Sequence, residues 1–198
     1  MSVGSDDPGP ARPGTLATAL AAARPRSALE AADLARLRSL AASPAAWDRA
    51  AALHVTGSAL VVHPPTARVL LRWHERMQGW LQVGGHGDPG EDDPLAVARR
   101  EAREETGLDD LVPWPDAERP VLLHAVVVPV PAAGDEPAHE HGDLRYLLAT
   151  AHPERARPER PGAPLRWLHL DEAVAAVGED NLRVTLARAA ALLRSDQP

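Results

Sequence analysis

Gly84-Gly85-His86-Gly87-Asp88-Pro89-Gly90-Glu91-Asp92-Asp93-Pro94-Leu95-Ala96-Val97-Ala98-Arg99-Arg100-Glu101-Ala102-Arg103-Glu104-Glu105-Thr106-Gly107-Leu108 is the stretch around which the rest of the chain organises. It opens as a Gly/Asp/Pro loop and runs into a helix. Asp93 suits an N-cap and Pro94 a first helical position. Gly107 supplies the stop, so the spacing predicts a helix over 94–106. At 100° per residue Leu95, Ala98 and Ala102 share one face. Glu101, Glu104 and Glu105 share another, because they sit three and four positions apart.

Grouping acids this way destabilises a helix by roughly a few tenths of a kcal/mol per pair. Glu104 and Glu105 also stand near the C-terminus, where the helix dipole disfavours anions. A hard divalent cation with a preference for oxygen ligands removes both penalties. On an arbitrary helix the plainer reading is a solvated face balanced by Arg99, Arg100 and Arg103. The glycine-rich loop in front of this helix shifts the balance.

Arg100-Glu101-Ala102-Arg103-Glu104-Glu105-Thr106-Gly107-Leu108 resembles the second half of the Nudix hydrolase box at every fixed position. Gly85 and Glu91 match the first half, with the usual five residues between them. Eight residues instead of seven then separate Glu91 from Arg100, so either Glu91 or Asp92 fills the early acidic position. Weaker likeness, including Trp80-Leu81-Gln82 and Arg166-Trp167, extends over residues 53–195. Many fixed positions coincide in one short window, which makes the signal specific.

The resemblance implies an α/β fold, an α/β/α sandwich with a mixed β-sheet. It implies Mg²⁺, or alternatively Mn²⁺, held by Glu101, Glu104 and Glu105 with the Gly85 carbonyl nearby. Arg100 would orient a box carboxylate, and Gly107 would end the box helix. The implied reaction is hydrolysis of a diphosphate linkage in a small nucleoside diphosphate derivative, with Glu101 or Glu104 as base. The alternative is a non-catalytic Nudix-like sensor that binds a nucleotide or a partner.

Outward from the box, Thr56–Val62 and Arg68–Trp73 read as a strand hairpin, and Trp80–Val83 as a short strand. Val121–Val130 is a buried strand, Pro131–Glu140 a loop, and Leu144–Thr150 and Leu165–Leu168 are strands. Asp171–Val177 and Asn181–Arg194 read as helices. His139, His141, Asp143 and Arg145 recur at period two, so in an extended chain they line one face. With His74 and His86 they form a candidate polar wall above the metal, for phosphate or leaving-group binding or a second metal. A solvated strand entry is the competing reading. Arg68, Arg72 and Arg76 read as exposed, Trp73 and Trp80 as packing residues, and His124 as structural.

Residues 1–14 read as a disordered tail. Residues 15–52 form an N-terminal helical extension to a domain at 53–195. Its first helix runs over 15–23. A second opens at Ser27 with a capping box to Glu30, and a short third spans Ser43–Trp47. This extension either packs on the domain or pairs two subunits in a homodimer.

Composition sets the outer limits. The chain has 198 residues, 44% hydrophobic and 25% charged, which suits a folded domain with an appendage. It has no cysteine, which excludes disulfides, thiolate metal sites and a cysteine nucleophile. The formal net charge of −7 argues against a nucleic-acid partner. No apolar run is long enough to span a membrane, and the acidic N-terminus is unlike a signal peptide, so the expected location is the cytoplasm.

Overall fold

The computed structural model describes residues 15–195. The expected tail, residues 1–14, lies outside the described residues. Two helices lead, α1 (Leu16–Ala22) and α2 (Ala28–Leu40), and four strands follow: β1 (Leu53–His63), β2 (Arg68–His74), β3 (Gly79–Leu81) and β4 (Val83–His86). Next come α3 (Pro94–Thr106), β5 (Val112–Pro113), β6 (Leu122–Val130), β7 (His139–Ala149) and β8 (Leu165–His169). The described chain closes with α4 (Leu170–Ala176) and α5 (Asp180–Ser195). None of these helices is long and apolar enough to cross a membrane.

The strands form one mixed sheet. β3, β2, β1, β7 and β5 lie in that order, while β4 pairs with β1, β6 with β7 and β8 with β2. β1 and β7 run parallel, with His54 opposite His141, Thr56 opposite Asp143 and Ser58 opposite Arg145. All other pairings are antiparallel.

Alternation along β1 and β7 explains the two layers that cover the sheet. Val55, Ala59 and Val61 of β1, with Leu144, Tyr146 and Leu148 of β7, face one core that contains Ala98 and Ala102 of α3, Leu16 and Leu20 of α1, and Leu34 and Leu37 of α2. On the other face Leu60, Val62 and Leu147 pack against Leu182, Leu186 and Leu193 of α5 and Ala173 of α4. That second face is apolar only toward the C-terminal ends of β1 and β7. Toward their starts it carries His54, Thr56, Ser58, His141, Asp143 and Arg145, and there a cavity opens. Helices on both sides of a mixed sheet make the α/β/α sandwich.

Gly57 sets how closely α3 approaches β1. A Cβ there would lie 2.5 Å from the Pro94 carbonyl oxygen and 2.9 Å from the Val97 Cβ. Only the absence of a side chain lets the helix descend this far.

The leader is seated on the domain. Leu34 and Leu37 are fully buried in the first core. Arg188 of α5 makes two bonds of 2.7 Å to the Glu30 carboxylate. The backbone N–H of Val127 donates to Asp33, and that of Leu16 donates to the Asp92 carbonyl. Ser27 caps α2 as expected, but Glu30 turns back to the N–H of Arg26 instead of that of Ser27. The expected third helix over Ser43–Trp47 is a run of turns. Its carbonyls are diverted: that of Ala46 accepts from Val55, which joins the turn to the start of β1.

Candidate active site

α3 forms over the expected residues for local reasons. The Asp93 carboxylate accepts from the N–H of Leu95, Pro94 occupies the first turn, and Gly107 ends the helix in the left-handed region at φ 66°. Val97, Ala98 and Ala102 are buried, which leaves Glu101, Glu104, Glu105 and Arg100 toward β4 and its loop.

The three carboxylates have different surroundings. Glu101 lies over Gly85, where a Cβ would come within 2.6 Å of the carboxylate. Glu105 is buried; it accepts from the N–H of Gly84 at 3.0 Å and pairs with Arg72 at 3.2 Å. Glu104 is 55% exposed and meets Arg100 at 3.1 Å. Arg100 also binds Glu101 at 2.9 Å, Glu91 at 2.8 Å and the His86 carbonyl at 2.8 Å. Of the two early acids, Glu91 is the one that pairs with Arg100, while Asp92 contributes its backbone carbonyl to Leu16.

Two arginines thus neutralise the carboxylates, Arg100 on the outside and Arg72 beneath. The neutralisation is incomplete. Burial pushes the Glu105 carboxyl up to about 7, outweighing the opposing pull of Arg72 and of the Gly84 N–H, and Glu101 adds to the rise. Burial raises Glu101 as well, against Arg100. A buried, oxygen-rich anionic group short of positive charge matches the donor set that a hard divalent ion takes.

The other expected residues assemble elsewhere. Consecutive residues of a strand point to opposite faces, so Gly85 backs Glu101 while the His86 side chain turns to the far side of β4. There a cavity of about 270 Å³ is lined by His74, Arg76, Gln82, His86, His139 and His141, with Asp143 and Arg145 at its base. None of the three carboxylates lines it. The wall expected above the carboxylates therefore lies across β4 from them. A second cavity, of about 500 Å³, lies between the leader and β6 and also lacks these carboxylates.

Asp143 and Arg145 close the cavity floor. Asp143 accepts from Thr56 at 3.1 Å, Ser58 at 2.7 Å, Gln82 at 3.2 Å and Arg145 at 2.7 Å. Arg145 is 1% exposed and also donates to Thr185. The bond between them, with those to Thr56, Ser58, Gln82 and Thr185, braces the floor. His74 accepts from the backbone N–H of Met77 at the cavity's side. At the end near His86, four imidazoles meet: His86 lies 3.0 Å from His54 and 3.2 Å from His141, and His139 lies 3.1 Å from His141. Burial, the neighbouring His54 and Arg49 hold His86 down to about 4. Burial with His86 and His54 does the same to His141.

Sequence reading missed two of these groups. Arg72 reads as a surface arginine, but is buried beneath Glu105. The signal of His54 is the polar alternation His54-Thr56-Ser58, in step with His141-Asp143-Arg145 on a parallel neighbour. Trp73 and Trp80 pack edge to face, with Arg166 over Trp80, as packing residues do.

The sequence model of the NUDIX domain matches residues 53–189. Among solved structures, an Ap4A hydrolase of C. elegans in a binary complex aligns with a TM-score of 0.55 and 18% identity, over 71% of this chain and 98% of that one. RenU, a Nudix hydrolase from M. smegmatis, aligns at 0.53 and 21% identity, over 73% and 88%. The dihydroneopterin triphosphate pyrophosphohydrolase of E. coli aligns at 0.50 and 20% identity, over 68% and 92%. No curated protein matches the sequence.

Proposed function

The chain belongs to the NUDIX domain family, hydrolases of phosphoanhydride bonds, and from that premise we propose that it cleaves a diphosphate linkage in a small nucleoside diphosphate derivative. Glu101, Glu104 and Glu105, with the Gly85 carbonyl, would hold a divalent cation, Mg²⁺ or Mn²⁺. The observation that carries this reading is the seating of the α3 acids on the Gly84–Gly85 backbone, with Glu105 buried and incompletely neutralised. Retention of all three carboxylates argues against a non-catalytic sensor.

A bound divalent ion supplies two things here: polarisation of a phosphoryl oxygen and a water of lowered pKa. The chain's own groups do the rest. Glu101 or Glu104 would accept the proton of the attacking water. Arg100 fixes the directions of Glu91, Glu101 and Glu104. Arg72 and the Gly84 N–H fix Glu105. His74 and His86 would offer polar contacts to the substrate's outer group in the cavity, with His139 and His141 lining it beside them, and Asp143 and Arg145 would hold that wall in place.

Residues 15–52 are proposed as an integral extension of a domain at 53–195. The apolar side of α2 is covered by the domain itself, so a homodimer would use other surfaces. The test of the reaction is a phosphate-release screen across nucleoside diphosphate derivatives, with Mg²⁺, with Mn²⁺ and with chelator. Metal-dependent release from at least one derivative is expected. Release that is absent throughout, or that persists in chelator, contradicts the reading.

A further inference from the structure

We infer that His54, His139 and His141 form a binding site for a divalent transition cation of the Zn²⁺ kind, with the fourth position left to water. The ligand nitrogens of His54, His139 and His141 all lie within 4.8 Å of one another, the one such set among the described residues. A tetrahedral ion with bonds of about 2.0–2.1 Å to imidazole needs nitrogens about 3.3 Å apart. Within the set, the Nε2 atoms of His139 and His141 lie 3.1 Å apart.

Hydrogen positions point the same way. A backbone carbonyl only accepts, so Nδ1 of His54, 2.9 Å from the Ala51 carbonyl, carries a hydrogen. The same holds for Nδ1 of His139, 3.0 Å from the Pro137 carbonyl. Neutral rings so fixed turn bare Nε2 lone pairs inward. A donation from the far ring nitrogen to a carbonyl is also the usual support of a metal-bound histidine.

The Nε2 contacts form a chain, His54 to His86 to His141 to His139. With both ends accepting, His86 donates to His54 and His141 to His139, which leaves no hydrogen for the contact between His86 and His141. A cation would take the inward lone pairs of His54, His139 and His141 directly, with the hydrogen of His141 on its Nδ1. His54 is wholly buried, so water does not reach its side. The Glu136 carboxylate, 3.6 Å from His139, offsets part of the added charge.

The site differs in chemistry from the carboxylates of α3 and lies across β4 from them. Imidazole favours Zn²⁺, Ni²⁺ or Cu²⁺, whereas Mg²⁺ takes oxygen. The two sites would therefore load independently.

The test titrates untagged, metal-free, full-length protein with Co²⁺ as a visible stand-in for Zn²⁺. The expected result is the strong visible absorption of a four-coordinate ion, saturating at one equivalent and displaced by Zn²⁺ but not by Mg²⁺. His141→Ala and His139→Gln should each weaken binding by about a hundredfold. Glu101→Gln and Glu104→Gln should leave the titration unchanged. His139→Gln, at the start of β7, is read where His141→Ala does not fold. Absence of the four-coordinate spectrum, undiminished binding in folded histidine variants, or loss of binding in the glutamate variants overturns the assignment. The readout is a spectrum, so failure of hydrolysis and failure of this site are seen separately.

Discussion

Gly85 and His86 are adjacent in β4 yet serve opposite faces of it: a Cβ on Gly85 would lie 2.6 Å from the Glu101 carboxylate, while the His86 imidazole lies 3.0 Å from His54. The pleat of one short strand thus separates an oxygen-rich site from a nitrogen-rich one. Changes at these two positions should have separable effects.

Gly85→Ala should disturb the carboxylates and spare the fold. The added methyl meets the free end of a glutamate, which can swing away, so the loss of stability should stay near 1 kcal/mol. Displacing Glu101 by about an ångström should lower kcat by about a hundredfold. Gly57→Ala should do the reverse, because its methyl meets the Pro94 backbone carbonyl. A loss of about 2–3 kcal/mol is expected in urea unfolding.

Arg100→Lys should lower kcat by tenfold or more, at roughly 1 kcal/mol in stability. A lysine keeps the charge but cannot span Glu91, Glu101, Glu104 and the His86 carbonyl at once. Steady-state kinetics beside thermal melts checks both halves. Unchanged kcat would mean that Arg100 does not orient the acids.

Stability should fall as pH drops from about 6.5 toward 4, in part through His124, to which the depressed His86 and His141 add. Burial, with Arg145 and Arg188, holds His124 down to about 4, against weaker upward pulls from Glu30 and Asp143. The unfolded chain takes up its proton near pH 6.5 while the folded chain does not, so unfolding gains from acid in that window. At pH 5 the contribution is about 2 kcal/mol relative to pH 7. Urea midpoints at both pH values check it. His124→Gln should have a shallower pH dependence; an identical slope contradicts the assignment.

Leu37→Ala should cost about 2–5 kcal/mol, as for a buried core leucine. Leu37 is fully buried against Gly142, where a Cβ would collide with it. A chain lacking residues 1–52 should accordingly lose its cooperative thermal transition. A truncated chain that folds as a stable monomer would show the leader to be dispensable.

Local signals were legible and distant ones were not. The bounds of α3 follow from Asp93, Pro94 and Gly107, each acting within a turn of its own position. The hairpin of β1 and β2 follows from alternation broken at His63-Pro64-Pro65. By contrast β7 begins at His139, inside the expected loop, because the parallel partner β1, starting at Leu53, draws it into register. Arg72 reads as a surface arginine until Glu105 is folded onto it. The three acids do share a helix side, but Glu101 and Glu104 are held by Arg100 and Glu105 by Arg72, and helical spacing carries no trace of that choice. The same limit hid His54, whose role depends on which strand lies beside it.

The central claim is that the acids of α3 carry a cation-dependent hydrolysis. Its most direct measurement is phosphate release, with Mg²⁺ and with chelator, by the wild-type chain and by Glu104→Gln and Glu105→Gln. Wild-type release should require the cation, and each variant should lose at least about a hundredfold in kcat while melting within a few degrees of the wild type. Release that survives chelation, or that both folded variants retain in full, would contradict the account.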